Sequence, residues 1–149
     1  MIRRFGEPPE PGRRYVRRPG VYALLPRRGR LLLTLQEAPG PDLQLPGGGI
    51  EPGEAPITAL HREVFEETGW LVAKPLRVGA FRRFAYMPEY DLWAEKLCTI
   101  YIARPLRRLG PPVEPGHSAL WMDTHAAAKA LGNAGDRHFA EQVLRHAVG

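Results

Sequence analysis

Cysteine is nearly missing from this 149-residue chain: Cys98 stands alone, so no intrachain disulfide can form and a reducing compartment is the natural setting. Long apolar runs are missing too. The longest candidates, Val21–Pro26 and Leu31–Leu35, fall far short of the roughly 18–20 residues that a membrane span requires. The first twenty residues hold Arg3, Arg4, Arg13, Arg14, Arg17 and Arg18 among prolines, and no apolar stretch of signal-peptide type follows them. Together these absences predict a cytoplasmic protein with no membrane partner. Lysine is scarce: Lys74, Lys96 and Lys129 are the only lysines among 21 basic residues. The formal charge of +5 is therefore carried by arginine, whose planar fork suits phosphate oxygens. An arginine-biased composition explains the same charge equally well. The arginines scatter over an N-terminal arm, several turns and two strands, without the clustered basic element that a nucleic-acid binder would show.

What is present fits one soluble domain. Apolar residues make up 44% and charged residues 25%, close to globular averages and incompatible with a mainly disordered chain. Residues 1–14, rich in Arg, Pro and Gly, read as an arm lying on the domain or partly mobile, and residues 15–149 as a single domain. Strands are expected over Gly20–Pro26, Arg30–Gln36, Leu43–Leu45, Leu71–Val72, Leu76–Tyr86, Leu97–Ala103 and Ala119–Met122. Met87–Lys96 and Pro105–His117 read as loops, as do the three glycines Gly47–Gly49. One helix is expected from Ala55 to Thr68, with Pro56 in its first turn and Gly69 placed for the left-handed residue that ends many helices. Two more close the chain, Thr124–Leu131 and Asp136–His146, with Asp123 or Thr124 and Asp136 as N-caps. Strands before, beside and after a central helix predict an α/β fold with a mixed sheet and helices on both faces.

The chemistry sits on that central helix. At 100° per residue, Glu63, Glu66 and Glu67 project from one sector, with Arg62 at its edge and Ile57, Leu60 and Val64 as the adjacent apolar stripe. Like charges three and four residues apart repel one another, so something cationic belongs among them. Arg62 offsets part of the repulsion, and a hard divalent cation accounts better for the rest. The glycines ahead of the helix let backbone or a phosphate approach closely, and Glu54 adds a carboxylate near the helix start.

In this segment the sequence resembles the Nudix hydrolases. Gly48, Glu54, Arg62, Glu63, Val64, Glu66, Glu67 and Gly69 occupy the positions of the Nudix box: Gly, five residues, Glu, seven residues, Arg-Glu, an aliphatic residue, any, Glu-Glu, any, Gly. Seven fixed letters at roughly 6–7% each give about 10⁻⁸ per starting position, so coincidence is not an adequate account. Trp70 departs from the pattern, which usually has Ile, Leu or Val there. The resemblance implies a Nudix-like α/β/α sandwich with a central mixed β-sheet. It also implies hydrolysis, with Mg²⁺ or Mn²⁺, of a nucleoside diphosphate linked to another moiety. By default that is a nucleoside triphosphate giving monophosphate and pyrophosphate. The alternatives are a dinucleoside polyphosphate hydrolase, toward which Tyr86, 16 residues after Trp70, is a hint, a nucleotide-sugar hydrolase, or a non-catalytic nucleotide-binding regulatory module.

Carried over by position, Glu66 and Glu67 would be the principal metal ligands and Glu63 a further ligand or the base for water. The Gly47 carbonyl would be a backbone ligand, Glu54 a secondary ligand, and Arg62 the holder of a box carboxylate. A later carboxylate often joins such sites. Glu114 is the first choice, followed by Glu89, Asp91 and Glu95. The five histidines, His61, His117, His125, His138 and His146, have no zinc-site spacing, and Cys98 reads as a small core residue. The aromatics Tyr86, Tyr90 and Trp93 could stack a base or simply anchor a loop. The sequence leaves the nucleotide, the number of metal ions and the oligomeric state open, a homodimer included.

Overall fold

The computed structural model describes residues 2–148. Two sheets form the centre. The first is mixed and five-stranded, in the order β1 (Arg3–Arg4), β7 (Trp70–Met87), β8 (Leu92–Arg108), β2 (Val16–Leu24), β6 (Gly47–Gly49). In the second, β4 (Arg30–Gln36) pairs antiparallel with β3 (Pro26–Arg27), β5 (Asp42–Gln44) and β9 (His117–Asp123).

Period-two alternation divides the apolar residues of these strands between two cores. Val21, Ala23, Leu25 and Leu32 pack with Ala59, Leu60 and Val64 of helix α1 (Pro56–Thr68). Leu24, Leu31 and Leu33 pack on the opposite side with Ala127 and Ala128 of α2 (Thr124–Ala130) and Phe139 and Ala140 of α3 (Ala134–Val148). The result is the expected α/β/α sandwich about a mixed sheet. Within α1 the apolar stripe differs from expectation at one place. Ile57 is exposed, and Ala59 takes the inward position beside Leu60 and Val64.

Several boundaries shift, each for a tertiary reason. Met87–Lys96, expected as a loop, is mostly ladder: β8 starts at Leu92, and only residues 88–91 turn. Cross-strand partners hold the polar residues there. Trp93 packs on Tyr86 with ring centroids 5.2 Å apart, and Glu95 takes Arg17 and Arg82 at 3.3 Å each. The two short strands expected at Leu71–Val72 and Leu76–Tyr86 are one strand carrying bulges, which accommodate Pro75 and the positive φ of Lys74. Pro105–Arg108 extends β8 instead of opening a loop. The arm is docked: Arg3 and Arg4 pair parallel with Phe81 and Arg82, and Phe5 meets Phe81 edge-on at 5.6 Å.

At the C-terminal helices, Asp123 caps α2 as expected, accepting from the Ala126 N–H at 3.1 Å. Asp136 does not cap α3. Asn133 does, accepting from the Asp136 N–H at 2.8 Å, while the buried Asp136 carboxyl turns inward to accept from the Leu45 N–H at 3.3 Å. Burial pushes that carboxyl up to about 6. No helix among the described residues is long and apolar enough to cross a membrane.

Gly69 ends α1 with φ 76°, its N–H donating to the Phe65 carbonyl at 2.8 Å. A Cβ there would lie 2.0 Å from the Gly110 carbonyl oxygen. The Gly69 carbonyl in turn accepts from the Leu109 N–H at 2.8 Å, so the helix end and the segment after β8 are fitted to each other. Gly69→Ala should therefore destabilise the protein by at least about 1–3 kcal/mol, from left-handed strain with a backbone clash added. Denaturant unfolding at constant m measures this, and a shift below a few tenths of a kcal/mol would contradict the fit.

Candidate functional site

Three pieces of chain build the site: the glycine strand β6, the polar face of α1 and the segment running into β9. Gly47–Gly49, expected as a loop, is a short strand paired with Gly20–Tyr22. Its glycines are needed for contact more than for turning. A Cβ at Gly48 would stand 2.5 Å from the Glu63 carboxyl carbon, so only a bare backbone lets that side chain lie against the strand.

Arg62 is the hub of the carboxylates. Its Nε and Nη2 donate to both oxygens of Glu54 at 2.8 and 2.9 Å, the planar fork matched to a carboxylate. Its Nη1 donates to Glu63 at 2.9 Å and Glu66 at 3.4 Å, and Nη2 also reaches the Gly49 carbonyl at 3.1 Å. These hydrogen bonds hold the Glu54 carboxyl down at about 2 and raise the guanidinium further. Glu54 is thereby placed on Arg62 and stands in neither of the cation-competent groups found among the described residues. Arg62→Lys leaves one ammonium where five acceptors converge, and it should cost about 1–3 kcal/mol of stability by charged hydrogen bonds lost. Equilibrium unfolding in the absence of divalent ions is the measurement, because no metal then compensates.

The three glutamates share a side of the helix, as expected, but lie at different depths. Glu66 is the outermost, and Glu63 is half-buried. Burial raises the Glu63 carboxyl, the neighbouring Glu66 and Glu114 charges add to the rise, and Arg62 opposes it. Glu67 is buried. Its Oε1 accepts from the Gly47 N–H at 2.9 Å, and its Oε2 lies 3.6 Å from His117 Nδ1. Burial drives its carboxyl up to about 9 against that hydrogen bond, with the surrounding carboxylates contributing.

Glu114 arrives from the segment between β8 and β9. The Val113 and Glu114 N–H groups both donate to the Glu66 carbonyl at 3.0 Å, an acceptor left open at the helix end. This anchors the Glu114 side chain beside the box. Glu63, Glu66 and Glu114 offer carboxylate oxygens within 4.8 Å of one another, and Glu67, Glu114 and His117 offer two carboxylate oxygens and a ring nitrogen within the same distance. Glu114 Oε2 is buried with no hydrogen-bond partner. A buried carboxylate oxygen without a donor is costly, and an oxygen-seeking cation would satisfy it. The donor set therefore fits Mg²⁺ or Mn²⁺. Of the later carboxylates, Glu114 joins the site and Glu89 lines the adjoining cleft. Asp91 is engaged by the Tyr86 hydroxyl and Glu95 by two arginines.

His117 is the residue the sequence did not flag. Its Nδ1 is 2.9 Å from the Thr34 hydroxyl, and strand pairing sets it across from Gln36. No local spacing marks it, because its partners lie 83 residues before it and 50 residues before it. His61 is exposed, and Cys98 is buried, as expected of a small core residue. Trp70 packs edge-on against Trp121 at 5.4 Å, inside apolar surroundings.

A cleft of about 270 Å³ opens from Glu63, Glu67, Glu114 and His117. It runs past Gly47–Gly49 to Tyr22, Gln36, Gln44 and Lys96, with Arg18 and Tyr90 at its rim. Lys96 is held below the usual lysine range, chiefly by burial. One end thus offers anionic oxygens to a cation, and the other offers neutral donors and acceptors with one ammonium.

Comparison with known proteins bears on the fold and the family. A curated Bacillus subtilis (strain 168) protein named "Putative 8-oxo-dGTP diphosphatase" is 30% identical over 74 residues, and the match spans half of this chain and half of that protein. Among solved structures, a NUDIX hydrolase from Nitrosomonas europaea superimposes with TM-score 0.71 at 20% identity, covering 87% of this chain and 89% of that one. A MutT NUDIX hydrolase from Burkholderia pseudomallei gives 0.63 at 24%, covering 85% and 98%. At those identities the likeness is one of fold. The NUDIX domain matches residues 14–143, spanning both sheets apart from β1, the glutamate helix and the Glu114–His117 segment, and the chain belongs to that family.

Proposed function

We propose that the protein is a Mg²⁺- or Mn²⁺-dependent pyrophosphohydrolase acting on a nucleoside diphosphate linked to another group, with nucleoside triphosphates as the default substrates. The observation that carries this reading is the convergence of Glu63, Glu66, Glu67 and Glu114 in two overlapping groups that share Glu114, with Glu63, Glu67 and Glu114 lining one cleft and Glu114 Oε2 buried and unpartnered. Glu66, Glu67 and Glu114 would hold the cation. A bound divalent ion supplies charge to the phosphate oxygens and makes a neighbouring water more acidic.

The chain's own residues do the positioning. The Gly47 N–H fixes the Glu67 carboxyl, with the His117 ring beside it, and the Glu66 carbonyl fixes the backbone of Glu114. Arg62, gripped by Glu54, orients Glu63 and Glu66. Glu63, whose carboxyl burial raises above its ordinary value, is the more basic for it and suited to take a proton from the attacking water. No side chain is needed as a nucleophile, because phosphoanhydride cleavage depends mainly on placement and electrostatics. Tyr22, Gln36, Gln44 and Lys96 at the other end offer the groups that would hold a nucleoside. The name of the Bacillus subtilis relative favours a nucleoside triphosphate, and the shared half-length leaves the choice of base to experiment.

The test is turnover on a panel of nucleoside triphosphates, dinucleoside polyphosphates and nucleotide sugars with Mg²⁺ and Mn²⁺, products being resolved chromatographically. Metal-dependent release of monophosphate and pyrophosphate is expected. Tight nucleotide binding without turnover on the whole panel would instead make the chain a regulatory nucleotide-binding module.

A further inference from the structure

A second cleft, of about 630 Å³, lies against the first and is lined by Arg17, Ile50, Glu51, Gly53, Glu54 and Arg62. The two share a wall formed by Arg18, Pro19, Gly49, Glu63 and Tyr90. Glu63 therefore stands where one hollow passes into the other. A linear substrate cleaved beside it would lie with one end in each.

The arginines around the second cleft are not equivalent. Arg62 is committed to Glu54, Glu63 and Glu66, and Arg17 is paired with Glu95 at 3.3 Å. Arg18 has no carboxylate within ion-pair distance among the described residues. Its guanidinium instead lies over the Tyr90 ring, 4.5 Å from the centroid. An arginine stacked on a ring keeps its N–H groups directed outward in the guanidinium plane, where they can meet phosphate oxygens two at a time. Tyr90 belongs to the turn between β7 and β8, which expectation had left between base stacking and loop anchoring. It supports a cation.

On the proposed hydrolase reading, we infer that Arg18, braced by Tyr90, is the binding residue for the leaving group's phosphates and that the second cleft receives that leaving group. The nucleoside then occupies the first cleft. Arg18 acts as a specificity-determining contact for the pyrophosphate portion.

The experiment compares wild type with Arg18→Ala, Arg18→Lys and Tyr90→Ala in the presence of Mg²⁺. It reads steady-state kinetics on the best nucleotide of the panel, calorimetric affinity for inorganic pyrophosphate, and thermal midpoint. Loss of a charge-assisted contact predicts that Arg18→Ala weakens pyrophosphate binding about ten- to hundred-fold, raising KM by more than it lowers kcat. Arg18→Lys should recover part of the affinity by retaining the charge. Tyr90→Ala should weaken binding less than Arg18→Ala, since the guanidinium remains but is no longer braced. Pyrophosphate affinity unchanged in Arg18→Ala would overturn the assignment, as would a loss that merely follows a fall in thermal midpoint and is equal in the lysine variant. Absent turnover by wild type would count against the hydrolase reading alone, because the pyrophosphate titration still measures the Arg18 contact.

Discussion

Glu67→Gln is expected to lower turnover by on the order of 10²–10³-fold, the scale on which removing one fixed electrostatic stabiliser of a transition state acts. The fold should survive, for a reason that only the structure supplies. Taken as an exposed carboxylate, Glu67 would tolerate the swap because nothing packs around it. It is in fact buried, with its carboxyl at about 9, so at neutral pH the cation-free protein already holds it protonated. A glutamine reproduces that neutral group in shape, and its oxygen can still accept from the Gly47 N–H. It cannot supply the negative charge that a divalent ion requires. Metal-free unfolding should therefore differ little between the two proteins, while kcat collapses and Mg²⁺ no longer stabilises the variant. Turnover within a few-fold of wild type would remove Glu67 from the site. Glu66→Gln should also lose most activity, and more simply, because Glu66 is the outermost of the three.

The same buried carboxyl sets a pH dependence. A carboxyl at about 9 in the folded chain and near 4.5 when unfolded keeps its proton longer in the native state. Its contribution is complete below about pH 4.5 and is lost progressively as pH rises toward 9. For one retained proton the decline can approach about 1.4 kcal/mol per pH unit. Glu63, also raised, acts in the same direction, and Asp136 does so between its ordinary value and about 6. Glu54, held at about 2, acts oppositely: its contribution is present above the ordinary carboxylate range and is lost as pH falls toward 2.

Mg²⁺ should reverse the alkaline decline, since the ion takes the place of protons among the carboxylates. At a hundred times its dissociation constant it should add about 2.7 kcal/mol. The gain should be larger at pH 8.5 than at pH 6, where protons compete. Thermal or denaturant unfolding at both pH values, with and without Mg²⁺, measures this. A metal effect independent of pH would show that no titrating carboxyl is displaced, and Glu67→Gln should flatten the pH 6–9 part of the curve.

Residues 48–70 made the site's first half legible, because a helix places residues three and four apart on one side whatever surrounds it. Arg62 beside Glu63 and Glu66, and Gly69 at the left-handed end, follow from that local geometry. The second half was not legible. Glu114 could be named only as the first of four candidates, and His117 only as one of five histidines without metal-site spacing. They reach Glu67 through strand pairing of β9 with β4 and through the tie between the Glu66 carbonyl and residues 113 and 114. Depth was hidden as well. Glu66 and Glu67 are adjacent in sequence, yet one faces outward and the other is buried against β6 at the wall of the cleft.

By itself the sequence determined the glutamate helix, its family and the alternation that sends strand residues to two cores, since each of these depends on spacings within one short continuous segment. The tertiary structure alone decided which later carboxylate joins the helix, which glutamate is dehydrated and that Arg18 lines two adjoining clefts. Those outcomes depend on contacts between residues tens of positions apart and on the exclusion of water, and neither quantity is carried by the order of residues along a short segment.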